Sequence, residues 1–394
     1  MRDAVIVEAV RTPVGKGKPG GSLSGVHPVE LLSHTLQALI GRSGVDPALV
    51  DDVIGGCVDQ VAEQAMNTTR YAWLAAGFPE SVPATTIDRQ CGSSQQAVHF
   101  AAQGVISGAY DLVVACGIES MSRVPMWSNV PPGADPFGAS VAARYPGGLI
   151  PQGVSAELIA AKWSISREAM DEFAAGSHAK AARAHAEGRF AAELVPVPTP
   201  DGLVAMDESV RPGTSPEVLA GLRPAFADPS FAERFPQIDW SVTAGNSSPI
   251  NDGASAVLIT SSETAARLGL RPLARLHSFA VTGSDPLLML TGVLPATEKV
   301  LRRAGLSLAD IDLFEVNEAF ASVVLAWLQE TGADPARLNV NGGAIALGHP
   351  LGASGTRLMT TLVHELRRSG GRFALQTMCE AGGLANATVL EALD

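Results

Sequence analysis

The chain has 394 residues, 46% of them hydrophobic, 17% charged and 5% aromatic, which is the make-up of a well-packed globular protein of two or three domains. A formal net charge of −12 argues against the basic stripe that nucleic-acid binding needs, while local arginines remain free to hold an anionic small substrate. No apolar run reaches the length of a membrane span, and Asp3, Glu8 and Pro13 interrupt the N-terminus where a signal peptide needs an unbroken apolar stretch.

Cysteine usage narrows the compartment. Cys57, Cys91, Cys116 and Cys379 show no paired spacing, so they fit neither a zinc site nor a disulfide framework and point to a reducing, cytoplasmic setting.

In chain order, "DAVIVEAV" reads as a strand, "HPVELLSHTLQALIGRSG" as a helix with a glycine stop, and "VDDVIGGCV" as a strand. The intervening "GKGKPG" satisfies G-x-G-x-x-G literally. However, "RTPV" separates it from the strand, Pro19 intrudes and no helix opens at its last glycine, so it reads as a solvated loop. "IDRQCGSSQQAVHFAAQGVISG" is strand, turn and helix, and "YDLVVACGIES" a further strand. Ala97, Val98, Phe100, Ala101, Ala102, Val105 and Ile106 lie nearly all round that helix, which predicts its burial.

Residues 119–248 are rich in proline and glycine ("SNVPPGADPFG", "RYPGGLIPQG") and read as a loop-rich insertion. "ASAVLITS" and "SETAARLGL" then resume the earlier style, and the last third repeats the first. "YDLVVACGIESM" and "RFALQTMCEAGG" each follow a buried helix and end a strand on a cysteine. The interval from Cys91 to Cys116, counted back from Cys379, lands on Ser354 in another small-residue turn. The organisation expected is a first α/β half (1–118 plus 249–271), the insertion (119–248) and a second α/β half (272–394). Ligand sites in such sheets lie at the C-terminal ends of the strands, where Cys91, His349 and Cys379 fall.

A cysteine at a helix N-terminus meets unpaired N–H groups and a partial positive charge, which favour the thiolate. Cys91 holds that position; a buried structural thiol is the plainer alternative. His349, in the glycine-dense "GGAIALGHPLGASG", is placed to draw a proton from Cys91 and to bond a developing oxyanion, or simply to bond neighbouring backbone. Cys379 in "TMCEAGGLAN" enters a second small-residue turn whose N–H groups suit another oxyanion hole. Two thiols and one imidazole at a common point suit carbon–carbon chemistry on a thioester. Asn317 in "FEVNEAFA" reads as a polar group at a strand end, as the N-cap of the next helix, or as both. The remaining histidines form no metal cluster, "HAKAARAH" having the wrong spacing.

The strings "DRQCGSSQQA", "TAGNSSPINDGASA", "NEAFA", "GGAIALGHPLGASG" and "CEAGG", in this order across nearly the whole chain, resemble the thiolases (acetyl-CoA acetyltransferases and 3-ketoacyl-CoA thiolases). The resemblance implies an α/β fold of two βαβαβαββ halves packed as αβαβα layers, with a loop-rich insertion in the first half. It implies that Cys91 is acylated, that His349 activates it and helps bind the thioester oxygen, that Asn317 positions a water in the same oxyanion hole, and that Cys379 is the acid/base. The backbone of Cys91 and Ala381 would supply oxyanion-hole donors. Ser248 would lie near the pantetheine arm and Arg211 at the adenine end of CoA. CoA is then a substrate, no metal or bound cofactor is needed, and a homodimer or homotetramer is expected.

Two positions depart from the family pattern: Ala381 and Ser94 stand where glycines are common. An alanine keeps its N–H donor if φ is negative, so altered shape rather than lost chemistry is expected. The function expected is thiolytic cleavage of a 3-ketoacyl-CoA through an acyl-cysteine. Formation of acetoacetyl-CoA from two acetyl-CoA is the alternative direction, and a non-catalytic CoA- or lipid-binding protein the remote one. A decarboxylating ketosynthase would want histidine at Asn317, and no G-x-S-x-G supports a serine hydrolase. Met126, Trp127 and Phe137 of the insertion are expected to shape the acyl pocket.

Overall fold

The computed structural model describes residues 2–393. The first half runs β1 (Val5–Arg11), β2 (Gly15–Lys16), α1 (Pro28–Ser43), β3 (Asp52–Gly56), α2 (Thr68–Ala75), β4 (Ala84–Ile87), α3 (Ser93–Ser107) and β5 (Leu112–Ser120). The chain then forms α4 (Gly138–Arg144), α5 (Gln152–Lys162), α6 (Arg167–Ala186), β6 (Val197–Thr199), β7 (Gly202–Val204), α7 (Pro216–Ala220) and α8 (Pro229–Arg234). It returns to the first half as β8 (Asn251–Thr260) and α9 (Ser262–Leu268). The second half is β9 (Ala274–Gly283), α10 (Val293–Ala304), β10 (Leu313–Val316), α11 (Ala321–Thr331), α12 (Ala344–Leu347), α13 (Ser354–Ser369), β11 (Phe373–Glu380) and β12 (Leu384–Ala392).

The main sheet has the order β10-β11-β12-β9-β1-β8-β5-β3-β4. Among the described residues the strands of the two halves pair only where β1 meets β9, at Val5–Arg275 and Ile6–Ala274, so the sheet divides there into two layers. Between them lie α3 and α13. Ala97, Val98 and Val105 of α3 and Met359 and Leu362 of α13 pack with Ile6 and Val257 of one half and Ala374 and Leu390 of the other. Outside, α1 covers the first half through Leu32 and Leu36, and α10 and α11 cover the second through Val300 and Trp327. The result is the αβαβα stack expected. Strands buried on both faces explain runs such as "LVVACGI", which show no alternation. The expectation for α3 fails at Phe100, which is 40% exposed, and is met only in part at Ile106, which is half-buried.

Matching hydrogen bonds fix the register of the internal repeat. The Asp51 carboxylate accepts from the N–H groups of Asp111 and Leu112, and that of Asp312 from Arg372 and Phe373. The subtractions 312 − 51 and 373 − 112 both give 261. That offset sets Ser354 opposite Ser93 and Cys379 opposite Ile118. The equivalence read from Cys116 and Cys379 is therefore two residues out of register. A two-residue slip in a strand keeps every side chain on its face, so the hydrophobic pattern does not betray it.

Glycines let the N-terminal ends of α3 and α13 abut. A Cβ on Gly355 would lie 2.1 Å from the Gln95 nitrogen, and one on Gly117 2.3 Å from the Gly352 oxygen. Ser94 Oγ accepts the Thr356 N–H at 3.0 Å, so the serine that replaces a family glycine caps the first turn of α13 from the neighbouring helix. The segment between β5 and β8 is anchored to β1 by a buried ion cluster. Arg11 donates to Glu193 at 2.5 Å and to both oxygens of Asp207 at 2.7 and 3.0 Å.

Candidate active site

Cys91 stands in a tight turn between β4 and α3. Ser93 organises the turn: its Oγ accepts from Arg89 N at 2.8 Å and donates to Gln90 O at 2.6 Å. Gln90 is held at φ 51°, a left-handed conformation that a residue with a Cβ adopts only when its surroundings impose it. Cys91 is 4% exposed and lines a cavity of about 340 Å³ with Trp127, Phe137, Met289, Leu351 and Ala381.

In the free protein burial opposes the thiolate that the helix terminus was expected to favour. Burial pushes the thiol up to about 12, the Glu380 carboxyl adds to the rise, and the Gln152 side chain opposes it. The helix cap is Gly92, one residue further on. A helix terminus is worth at most ~2 kcal/mol, whereas full burial shifts an ionisable group by up to ~3–5 pKa units, so desolvation wins.

His349 is 3% exposed, in the loop between α12 and α13. Gly348, at φ 103°, makes the bend, and a Cβ there would meet Val14 and Asn251 within 2.7 Å. The His349 N–H donates to Asn251 Oδ1 at 3.0 Å. Ser354 Oγ donates to Pro350 O at 2.8 Å, so its contact with His349 Nδ1 at 2.6 Å is one in which the ring N–H donates. This network assigns the proton to Nδ1 and leaves a lone pair on Nε2, which has no partner in the protein. Burial, with the nearby Arg357 guanidinium, pushes the imidazole down to about 3, so it is neutral.

Cys379 is fully buried on β11, and its thiol is raised by burial, with Cys91 and Glu380 adding to the rise. Cys91, Leu351 of the histidine loop and Met378 share one small apolar cluster. Asn317 follows β10, and its N–H donates to Thr377 O at 3.0 Å. Its side-chain amide is buried with neither atom bonded. The N-cap reading of Asn317 is corrected: α11 begins at Ala321 and Phe320 is its cap.

Ala381 lines the cavity beside Gly382, and it is absent from the residues with positive φ, whereas Gly382 and Gly383 lie at 81° and 80°. An L-residue at 381 is thus accommodated without strain. Ser248 is half-buried, and its N–H donates to Ala319 O at 2.9 Å, which ties "TAGNSS" to "NEAFA". Arg211 is exposed, its N–H donating to His178 Nδ1 at 3.2 Å, and it does not line the cavity. Gln152, Ser354 and Glu380 were not singled out as site residues from the sequence. Ser354 and Glu380 sit inside the quoted motifs, and Gln152 carries no sequence signal.

Comparison with known proteins agrees. The model of the thiolase N-terminal domain matches residues 4–263 and that of the thiolase C-terminal domain residues 270–392. The chain belongs to the thiolase family. A steroid 3-ketoacyl-CoA thiolase of Mycobacterium tuberculosis is 48% identical, the match covering 100% of this chain and 95% of that one. A 3-ketoacyl-CoA thiolase of Bacillus subtilis is 44% identical, over 99% of this chain and 100% of that one. The crystal structure of the Bacillus anthracis acetyl-CoA acetyltransferase superposes with a TM-score of 0.89 at 40% identity, covering 100% of this chain and 99% of that one. Thiolases take CoA as a substrate and need no metal or other cofactor, as the resemblance implied.

Proposed function

We propose that this thiolase cleaves 3-ketoacyl-CoA with CoA, through an acyl group carried on Cys91. The observation that carries the reading is a neutral histidine with an unpartnered Nε2 lone pair, in the loop whose Leu351 packs with Cys91 at the floor of an apolar cavity. His349 Nε2 takes the Cys91 proton as Sγ attacks the keto carbon, and the resulting N–H becomes a donor for the oxygen on which charge develops. The C2–C3 bond breaks with its electron pair on C2, and Cys379 gives that carbon a proton. Acetyl-CoA leaves. The Cys379 thiolate then takes the proton of incoming CoA, whose sulfur displaces Cys91 from the acyl group, and His349 returns its proton to the departing Cys91 sulfur. Asn317 offers an unspent amide for the water or oxyanion beside it, and Ala381 a backbone N–H.

The degradative direction is supported by relatives named for 3-ketoacyl-CoA cleavage, and by a cavity walled by Met126, Trp127, Phe137 and Met289, far larger and more apolar than an acetyl group needs. Ser248 and Arg211 are read as CoA contacts, and the setting as cytoplasmic; among the described residues no helix is long and apolar enough to cross a membrane. Cys91→Ser is expected to abolish acyl-enzyme formation, and Cys379→Ser to accept an acyl group without completing turnover, as followed by intact-protein mass and CoA-coupled assay. An active Cys91→Ala variant removes this reading, and thiolysis restricted to acetoacetyl-CoA in a chain-length panel removes the support drawn from the size of the cavity. We further read the chain as a homo-oligomer, supported by the open edge of β4 and by Met66 and Tyr71, 79% and 45% exposed. Light scattering that returns the mass of one chain contradicts it.

A further inference from the structure

Glu380 is the last residue of β11 and fully buried, yet neither carboxyl oxygen has a hydrogen-bond partner. It packs on the cap residue of α3: a Cβ on Gly92 would lie 1.8 Å from Glu380 Oε1. Its counterpart at the 261-residue offset, Glu119, is built differently. Glu119 accepts from Val58 N at 2.9 Å, Asp59 N at 3.2 Å, Gly352 N at 2.8 Å and Gln64 Nε2 at 2.7 Å, with Cys57 Sγ at 3.7 Å. Equivalent places in the two halves therefore hold one carboxyl surrounded by donors that suit an anion and one with none. A buried carboxylate without donors is far costlier than the neutral acid.

We infer that Glu380 is a positioning residue for the Cys91 nucleophile: an uncharged carboxylic acid against the cap of α3 that admits a thiolate at residue 91 only while it keeps its own proton. This rests on the assignment of Cys91 as the nucleophile. The groups facing Glu380 are Asp88 and Arg89 of the turn before α3, Cys91 beyond them, and Cys379 on its own strand. Arg89 favours the carboxylate and Asp88 disfavours it. Ionised Glu380 would set a negative charge beside both sulfurs and oppose each thiolate, so the two titrations are coupled.

The test is the pH dependence of Cys91 alkylation by iodoacetamide, mapped by peptide mass, in the wild type, Glu380→Gln and Glu380→Leu. Both variants are neutral at every pH, and their folding is checked by thermal unfolding. At the low-pH end of the profile the three proteins should react at similar rates, because Glu380 keeps its proton there. At higher pH the variants should rise about tenfold per unit through one step, while the wild type rises less steeply and falls about tenfold behind. A wild-type curve that superimposes on the variants overturns the inference, and so does one displaced in parallel at all pH, which would mean a permanent carboxylate. If both variants fail to fold, the wild type alone decides: a single step of full slope overturns the inference. Labelling that falls on other cysteines while Cys91 stays unmodified overturns the Cys91 assignment as well, which separates the two failures.

Discussion

His349 owes its availability as a base to a serine five residues along the chain. Because Ser354 spends its own proton on Pro350 O, it can only accept from the imidazole, and the free lone pair is fixed on Nε2. Ser354→Ala deletes that acceptor without disturbing the apolar packing of Leu351. The ring is then free to carry its proton on either nitrogen, so kcat should fall by about tenfold to a hundredfold with KM little changed, within the ~10²–10⁴-fold that a general base contributes. Steady-state thiolysis kinetics decide it: unchanged kcat means that the tautomer is fixed by something else.

At the scale of elements, the site depends on two helix N-termini meeting in the central layer. Gly355 is where α13 touches the backbone of α3, and its φ is not in the left-handed region, so the constraint there is space alone. Gly355→Ala must push the helices apart and should cost about 1–3 kcal/mol, with loss of activity because Cys91 and His349 lie on the two segments that move. Gly41, inside α1 with nothing near its virtual Cβ, is the control: Gly41→Ala should stabilise by about 0.5–1 kcal/mol. Denaturant unfolding of the pair reads both signs, and equal effects would contradict the argument.

The whole molecule joins its halves through a buried polar network as well as through apolar contacts. His99 of α3 bonds Thr388 Oγ1 at 2.8 Å and Asn386 at 3.2 Å, and Gln95 also donates to Thr388. Burial, with Arg89 nearby, pushes His99 down to about 3 from an ordinary 6.5. Between those values the unfolded chain binds a proton that the folded chain does not, so this group's stabilisation is lost as pH falls from about 6.5 towards 3. Glu315 and Asp252, raised to about 8 and about 6, act with the opposite sign. The comparison with His99→Gln isolates the histidine: its melting temperature should fall less steeply than the wild type's between about pH 6.5 and 4. Parallel slopes would show that His99 does not contribute.

The sequence by itself determined the layered α/β fold, because strands buried on both faces and a helix apolar all round leave few other ways to exclude water. It also singled out the side chains proposed here as reactive, because sulfur and imidazole chemistry is local and their small-residue turns are visible as strings. Only the tertiary structure decided the protonation states. The helix terminus that should have acidified Cys91 is overruled by burial, and Glu380, from a strand almost three hundred residues later, opposes the thiolate once it ionises. It likewise decided the register of the repeat, since period-two strands hide a two-residue slip, and it left Arg211 at the surface, away from the cavity lining. Desolvation, charge and register depend on what the rest of the chain brings alongside, and no local pattern of residues records that.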